Sequence, residues 1–137
     1  MKTEKQIERD FYTLISQSNL GAAIRGSIYR SEMRPRDAVS EDIIIKFLSG
    51  LDGQIQQGVV ILNVYVPDIT HRSDGRKVED KQRVAVLEEL IVDFIEHNGS
   101  TEYLIESDLT PTSMLNEELE QHLIYARLRF QRLSQQD

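Results

Sequence analysis

The chain contains no cysteine, no tryptophan and only three prolines among its 137 residues. Without cysteine there is no disulfide, no thiolate metal site, no cysteine nucleophile and no thiol redox sensor. Long apolar runs are also missing. The longest, over residues 59–66, is interrupted by Asn63 and falls far short of the roughly 20 residues that cross a bilayer as a helix. The opening residues, MKTEKQIERDFYTL, are amphipathic and mixed in charge, unlike the basic start and unbroken apolar stretch of a secretory signal. A cytoplasmic location is therefore expected, with no membrane partner, and the Asn98-Gly99-Ser100 sequon has no enzyme to meet there. Basic charge is scarce as well. The formal net charge is −7, carried mostly by residues 69–137, which hold 8 basic and 14 acidic side chains against 8 and 9 in residues 1–68. A nucleic-acid binder normally displaces counterions with a concentrated basic surface, so no nucleic-acid partner is expected.

What is present is an ordinary globular balance, 39% hydrophobic and 28% charged, in a length that suits a single domain over residues 1–137 with one core. Ile7, Phe11, Leu14 and Ile15 recur at helical spacing and predict a first helix over residues 3–18, stopped by Asn19-Leu20-Gly21. Residues 23–30 read as a short strand leading into the Arg34-Pro35 connection. The β-branched run Ile43-Ile44-Ile45 favours a second strand. The turn residues Ser49-Gly50-Leu51-Asp52-Gly53-Gln54 then join it in an antiparallel hairpin to a third strand over residues 58–66. Val59-Val60-Ile61-Leu62 shows little polar alternation, which predicts a central strand covered on both faces, by helix on one and by a partner or sheet on the other. Residues 69–78 have no apolar period and read as a long loop. Val84, Leu87, Leu90, Ile91, Phe94 and Ile95 mark a second helix over residues 79–96, with Asn98-Gly99 as its left-handed cap and His97 as a cation at its negative end.

A strand at residues 103–106 follows, then a connection at Thr110-Pro111-Thr112-Ser113. In the last segment Ile124, Ala126, Leu128 and Phe130 alternate with Leu123, Tyr125, Arg127, Arg129 and Gln131, the period of a strand with one core face. The fold class expected is α+β: two helices packed on an antiparallel or mixed sheet, in the order α-β-β-β-α-β-β. Leu90, Phe94, Leu128 and Phe130 belong together in its core.

Catalytic chemistry finds little support in the residues. Gly21-Ala22-Ala23-Ile24-Arg25-Gly26-Ser27 has the glycine spacing of a phosphate loop, but Ser27 stands where the lysine is needed and a helix precedes it instead of a strand. His71, His97 and His122 are scattered, without metal-ligand spacing. Glu89, Asp93 and Glu96 form one stripe of the second helix, opposite its apolar face, and read as a solvated acidic surface. Ser73 and Asp74 stand near His71, yet loop neighbours seldom build a triad. No catalytic, metal or cofactor site is expected. Arg25, Arg30, Arg34 and Arg36 gather around Pro35 with Tyr29 among them. Three readings stand open for that group: a protein interface, a charge-guarded sheet edge and, behind these, a nucleic-acid patch.

Tyr29-Arg30 followed by Arg34-Pro35, then Glu41-Asp42 before Ile43-Ile44-Ile45, then Asn63-Val64-Tyr65-Val66-Pro67-Asp68 and the closing Arg127-Leu128-Arg129-Phe130 together resemble the tail-completion or tail-terminator proteins of tailed phages. The resemblance spans most of the chain. It implies a non-enzymatic structural subunit that assembles as a ring, commonly a hexamer, and contacts tail-tube or connector proteins where the tail meets the head. It has no catalytic residues to transfer. What it implies for individual positions is contact with neighbouring subunits or partners at Tyr29, Arg30, Tyr65, Pro67, Asp68, Arg72, Arg76 and Lys77. From other classes, a small-molecule or regulatory binding module and an enzyme completed at a subunit boundary would each need a concave site with converging polar groups.

Overall fold

The computed structural model describes residues 1–51, 55–116 and 119–133. Helix α1 (Glu4–Ser16) begins at a capping box, in which the Thr3 hydroxyl accepts from the Gln6 N–H and the Gln6 carboxamide accepts from the Thr3 N–H. Such reciprocal caps satisfy two of the donors that a helix start leaves unpaired. Its apolar positions Ile7, Phe11 and Ile15 recur every fourth residue and are buried. The chain turns at Gln17, but Asn19-Leu20-Gly21 does not simply end the helix. Ser18 caps a second short helix, α2 (Asn19–Ala23), whose Leu20 reaches the core. The strand expected over residues 23–30 is thereby shortened to β1 (Ile28–Arg30).

Strands β2 (Asp42–Leu51) and β3 (Ile55–Pro67) form the expected antiparallel hairpin, with one register shift after Phe47. Ser49, Gly50 and Leu51, expected in the turn, continue β2 instead, paired with Val59, Gly58 and Gln57, and Asp52-Gly53-Gln54 lies outside the described residues. The long loop is shorter than its sequence implies, because β4 (Ile69–Thr70) pairs antiparallel with β5 (Lys77–Val78) in a small separate ribbon. Helix α3 (Lys81–His97) is capped by Asp80, which accepts from the Arg83 N–H, and is followed by Gly99 at φ 73°. A left-handed position of that kind favours glycine.

Strand β6 (Tyr103–Asn116) runs straight through Thr110-Pro111-Thr112-Ser113, which the sequence marks as a connection. Two register shifts against β7 (Gln121–Leu133) absorb the irregularity, one between Ser107 and Leu109 and one between Leu109 and Thr112. Proline is tolerated at such a bulge because β6 is an edge strand, where a missing N–H breaks no central ladder.

The large sheet has the order β1-β2-β3-β7-β6, antiparallel except for the parallel β1–β2 pair. The fold class is α+β, as expected, with a mixed sheet. Alternation decides the faces. Ile43 and Ile45, Val60 to Val66 on even numbers, Ile124 to Phe130 on even numbers, and Tyr103 and Ile105 all point to the helices and form one buried cluster with Ile7, Phe11, Ile15, Leu87, Ile91 and Phe94. Leu90 packs at its margin.

Among the described residues no helix packs on the outer face of central strand β3, the face expected to meet a partner or sheet. There Ile61, 7% exposed, stands between its cross-strand partners Lys46 and Arg127. Long aliphatic stems on neighbouring strands shield an apolar residue in this way.

Phe130 meets Phe11, Phe47 and Tyr103 at ring separations of 5.6, 6.2 and 5.7 Å. Truncation of Phe130 or Phe94 to alanine is expected to destabilise the protein by about 3–5 kcal/mol, the usual effect of emptying a closed aromatic site. Urea unfolding measures this, and a midpoint equal to that of the parent protein would contradict the packing.

Candidate functional site

Two consecutive carboxylates at the start of β2 organise one end of the sheet. Because strand side chains alternate, Glu41 points toward the helices and Asp42 toward the outer face. Glu41 accepts from Nε and Nη2 of Arg83 on α3 at 2.7 and 2.8 Å, and from the Arg25 N–H at 2.8 Å. The same guanidinium donates to the Ala23 carbonyl and so holds the end of α2. Asp42 accepts from Arg34 Nε at 3.0 Å, the Ser40 hydroxyl at 2.6 Å and the Ser27 N–H at 2.7 Å. Arg34 also reaches the Ser40 carbonyl and Gln121, and its guanidinium lies 4.0 Å over the Tyr65 ring. The connection between β1 and β2 is thereby clamped over the outer face of the sheet. Gly26 is required here, since a Cβ would stand 2.3 Å from both Asp42 Oδ1 and the Glu41 carbonyl oxygen.

Burial alone would raise both carboxyl pKa values. The hydrogen bonds from Arg83 and the Arg25 N–H outweigh it at Glu41, and those from Ser27, Ser40 and Arg34 outweigh it at Asp42, so both acids are held below their usual range. At the other end of the sheet Lys2 bridges Asp10 (2.6 Å) and Glu102 (2.8 Å), Arg132 pairs with Glu102, and the Tyr103 hydroxyl donates to Asp10. Burial, reinforced by Asp10, raises the Tyr103 phenol far above its ordinary value and keeps it a donor. This latch fastens the entry of α1 to β6 and β7.

The eight positions singled out from the resemblance divide between two surroundings. Tyr29 and Arg30 lie on edge strand β1, half-buried, with Arg30 paired to the buried Glu8 at 2.9 Å. Tyr65 is stacked beneath Arg34, and Pro67 ends β3. The Asp68 carboxylate, 4% exposed, is held 2.6 Å from His122 Nδ1. These groups are engaged within the subunit. Arg72, Arg76 and Lys77 are instead exposed along the β4–β5 ribbon, Arg76 paired to Asp74 and Lys77 donating to Thr70. Backbone bonds from His71 to Arg76 and from Gly75 to His71 tighten the ribbon turn.

Beneath the ribbon, the start of α3 and the end of the β6–β7 hairpin enclose a groove of about 720 Å3. His71, Arg76, Lys77, Glu79, Asp80 and Lys81 line it together with Ile69 and Leu115, which are 47% and 55% exposed. On its wall His122 stands beside Asp68, and the Ser113 hydroxyl donates to Glu79 at 2.6 Å. Sequence spacing gave no sign of the His122–Asp68 pair, which joins positions 54 apart along the chain. The fold brings His71 and His122 to this one groove, whereas His97 stands apart on α3, 3.4 Å from Asp93. Among the described residues no cluster of three or more potential ligands has metal-binding geometry.

The outer face beyond the Arg34 clamp carries Leu104, Leu109 and Met114 at 58%, 48% and 45% exposure. Asn63 Oδ1 and Arg127 Nε lack hydrogen bonds there, although Arg127 Nε is 3.2 Å from Asp108 Oδ2 and keeps an ionic contact. Among the described residues no helix is long and apolar enough to cross a membrane. No protein-family model and no curated protein sequence matches the chain.

Asp42→Asn is expected to cost about 3–5 kcal/mol at neutral pH, because it leaves the Arg34 guanidinium, 6% exposed, without its counter-charge. The folded-state pKa of Asp42 lies below its unfolded value. The parent therefore holds this stability at neutral pH and loses it as pH falls through the depressed value. The gap between the two proteins should narrow on acidification to about pH 3. Urea unfolding at the two pH values tests this, and a gap independent of pH would sink the assignment.

Proposed function

We propose that this chain is a non-enzymatic structural subunit that assembles with copies of itself into a ring, in the manner of the tail-terminator and tail-completion proteins it resembles. The ring, a hexamer in that reading, caps the head-proximal end of a phage or prophage tail and contacts tail-tube or connector proteins. The observation that carries this reading is the β4–β5 ribbon, a projection built by backbone pairing whose basic side chains Arg72, Arg76 and Lys77 are left in solvent. Ordered surface loops that do not support a core are commonly contact elements. The exposed apolar residues on β6 and on the ribbon, Leu104, Leu109, Leu115 and Ile69, supply surface of the kind that neighbours cover.

The groove under the ribbon favours a second reading, a small-molecule or regulatory binding module, because a concave space of about 720 Å3 whose exposed charges, on Arg76, Lys77 and Lys81, are basic suits a compact anionic ligand. Thermal-shift measurements with anionic metabolites separate the two readings. A saturable rise in midpoint supports the binding module, and electron micrographs of rings support the structural one.

Replacing Arg72, Arg76 and Lys77 together by glutamate should move the thermal midpoint by less than about 3 °C, since surface changes of this kind are nearly neutral for stability. The same change should abolish rings in micrographs and tail joining in an assembly reaction. Normal assembly by the triple variant would remove the ribbon from the interface and leave the β1 edge with Tyr29 and Arg30 as the contact.

A further inference from the structure

The outer face of α3 combines apolar and acidic side chains. Val86 and Val92 are 46% and 41% exposed, and Glu89, Asp93 and Glu96 stand on the same side of the helix. Positions 86, 89, 93 and 96 follow helical spacing, with 92 three residues on from 89, so they form one face rather than a scatter. The acidic stripe expected from the sequence thus lies at the surface, but with two valines set into it. In the groove under the ribbon Ile69 and Leu115 form apolar floor and the exposed charges are those of Arg76, Lys77 and Lys81, while the acids of the same wall are half-buried, Glu79 bonded to Ser113 and Lys81 and Asp80 to the Arg83 N–H.

From this match of apolar area with apolar area and of exposed acid with exposed base, we infer that the ribbon groove of one subunit receives the outer face of α3 of a second copy. The contact cannot form within one chain, because Lys81 and Gln82 at the start of α3 are themselves part of the groove wall. Size agrees as well. A helix about 10 Å across, laid to half its depth over two turns, displaces roughly 400 Å3, which the groove of about 720 Å3 accommodates. Two turns also match the span from Val86 to Asp93, about 10 Å at 1.5 Å per residue.

The mode is that of an amphipathic helix in a groove, with complementary charge setting partner choice and register. A subunit that gives its helix to one neighbour and accepts a helix from another makes a heterologous contact, which closes into a ring when the rotation allows. This inference rests on the self-assembly proposed above and names the surfaces that carry it.

The test uses two full-length variants. In one, Arg76, Lys77 and Lys81 become glutamate; in the other, Glu89 and Glu96 become lysine. Each alone places like charge in both halves of the contact, and self-association measured by sedimentation should weaken by at least about tenfold. Circular dichroism melts establish that both remain folded. Mixed in equal amounts, the acidic groove of the first meets the basic helix of the second, while the basic groove of the second meets the acidic helix of the first, and association should return.

In the parent protein, carbodiimide should join Lys77 or Lys81 to Glu89 or Glu96, with the join shown to be between molecules by mixing isotopically heavy and light chains. Failure of the mixture to associate, or undiminished association of either variant alone, overturns the inference, and rings that persist in both variants leave the ring reading intact. A closed dimer joined at these same pairs keeps the contact and removes the ring. A parent protein that stays monomeric and yields no such cross-link when concentrated also overturns the inference, and its incorporation or absence in assembled tails then decides the ring reading separately.

Discussion

Glu41 and Asp42 stand back to back, and most of the arrangement around the helix-bearing end of the sheet depends on them. One residue step in a strand sends neighbouring side chains to opposite faces, so a single dipeptide anchors α2 and α3 on one side and the β1–β2 connection on the other. Burying two carboxylates side by side is unfavourable unless each is paired and its remaining lone pairs are filled. Here each accepts a guanidinium and at least one backbone N–H. Both arginines lie far from ideal solvation but within a planar fork geometry that lysine would not reproduce. The constraint extends to Gly26, which must lack a side chain for the backbone to come this close.

Local periodicity made the regular elements readable. The spacing of Val84, Leu87, Ile91 and Phe94 and the alternation from Ile124 to Phe130 are strong because each element buries only one face, and both appear where expected. The errors fall where local chemistry and tertiary context disagree. Thr110-Pro111-Thr112-Ser113 looks like a break, yet an edge strand with two bulges tolerates it. Residues 69–78 have no period because two-residue strands are too short to show one. The uniform apolarity of Val59 to Leu62 suggests two covered faces, and within the subunit the long stems of Lys46 and Arg127 shield Ile61 on the second.

The functional surface was less legible than the fold, and for a different reason. Ion pairs that join residues 42 or 54 positions apart, Arg83 to Glu41 and His122 to Asp68, leave no signature in spacing. Several residues that carry the resemblance prove to hold the subunit together. Arg34, Glu41, Asp42 and Tyr65 form the clamp, and Asp68 is closed off by His122. Arg72, Arg76 and Lys77 fall in the segment whose missing apolar period reads as a loop, but the apolar floor beneath them is assembled from Ile69 and Leu115 on different strands. The valines of α3 are equally ordinary in sequence, and only their position outside the core gives them meaning.

The β3–β7 ladder runs without a bulge from Ile55 opposite Leu133 to Pro67 opposite Gln121, and it joins two halves of the chain that are otherwise local. The β2–β3 and β6–β7 hairpins close over short spans and form quickly in isolation. Zipping the one hairpin to the other must instead overcome the loop entropy of the whole intervening segment before any native pairing repays it. The seam between the hairpins is thus the strand pairing with the most loop entropy to overcome, and until it closes β3 and β7 each keep an unpaired edge.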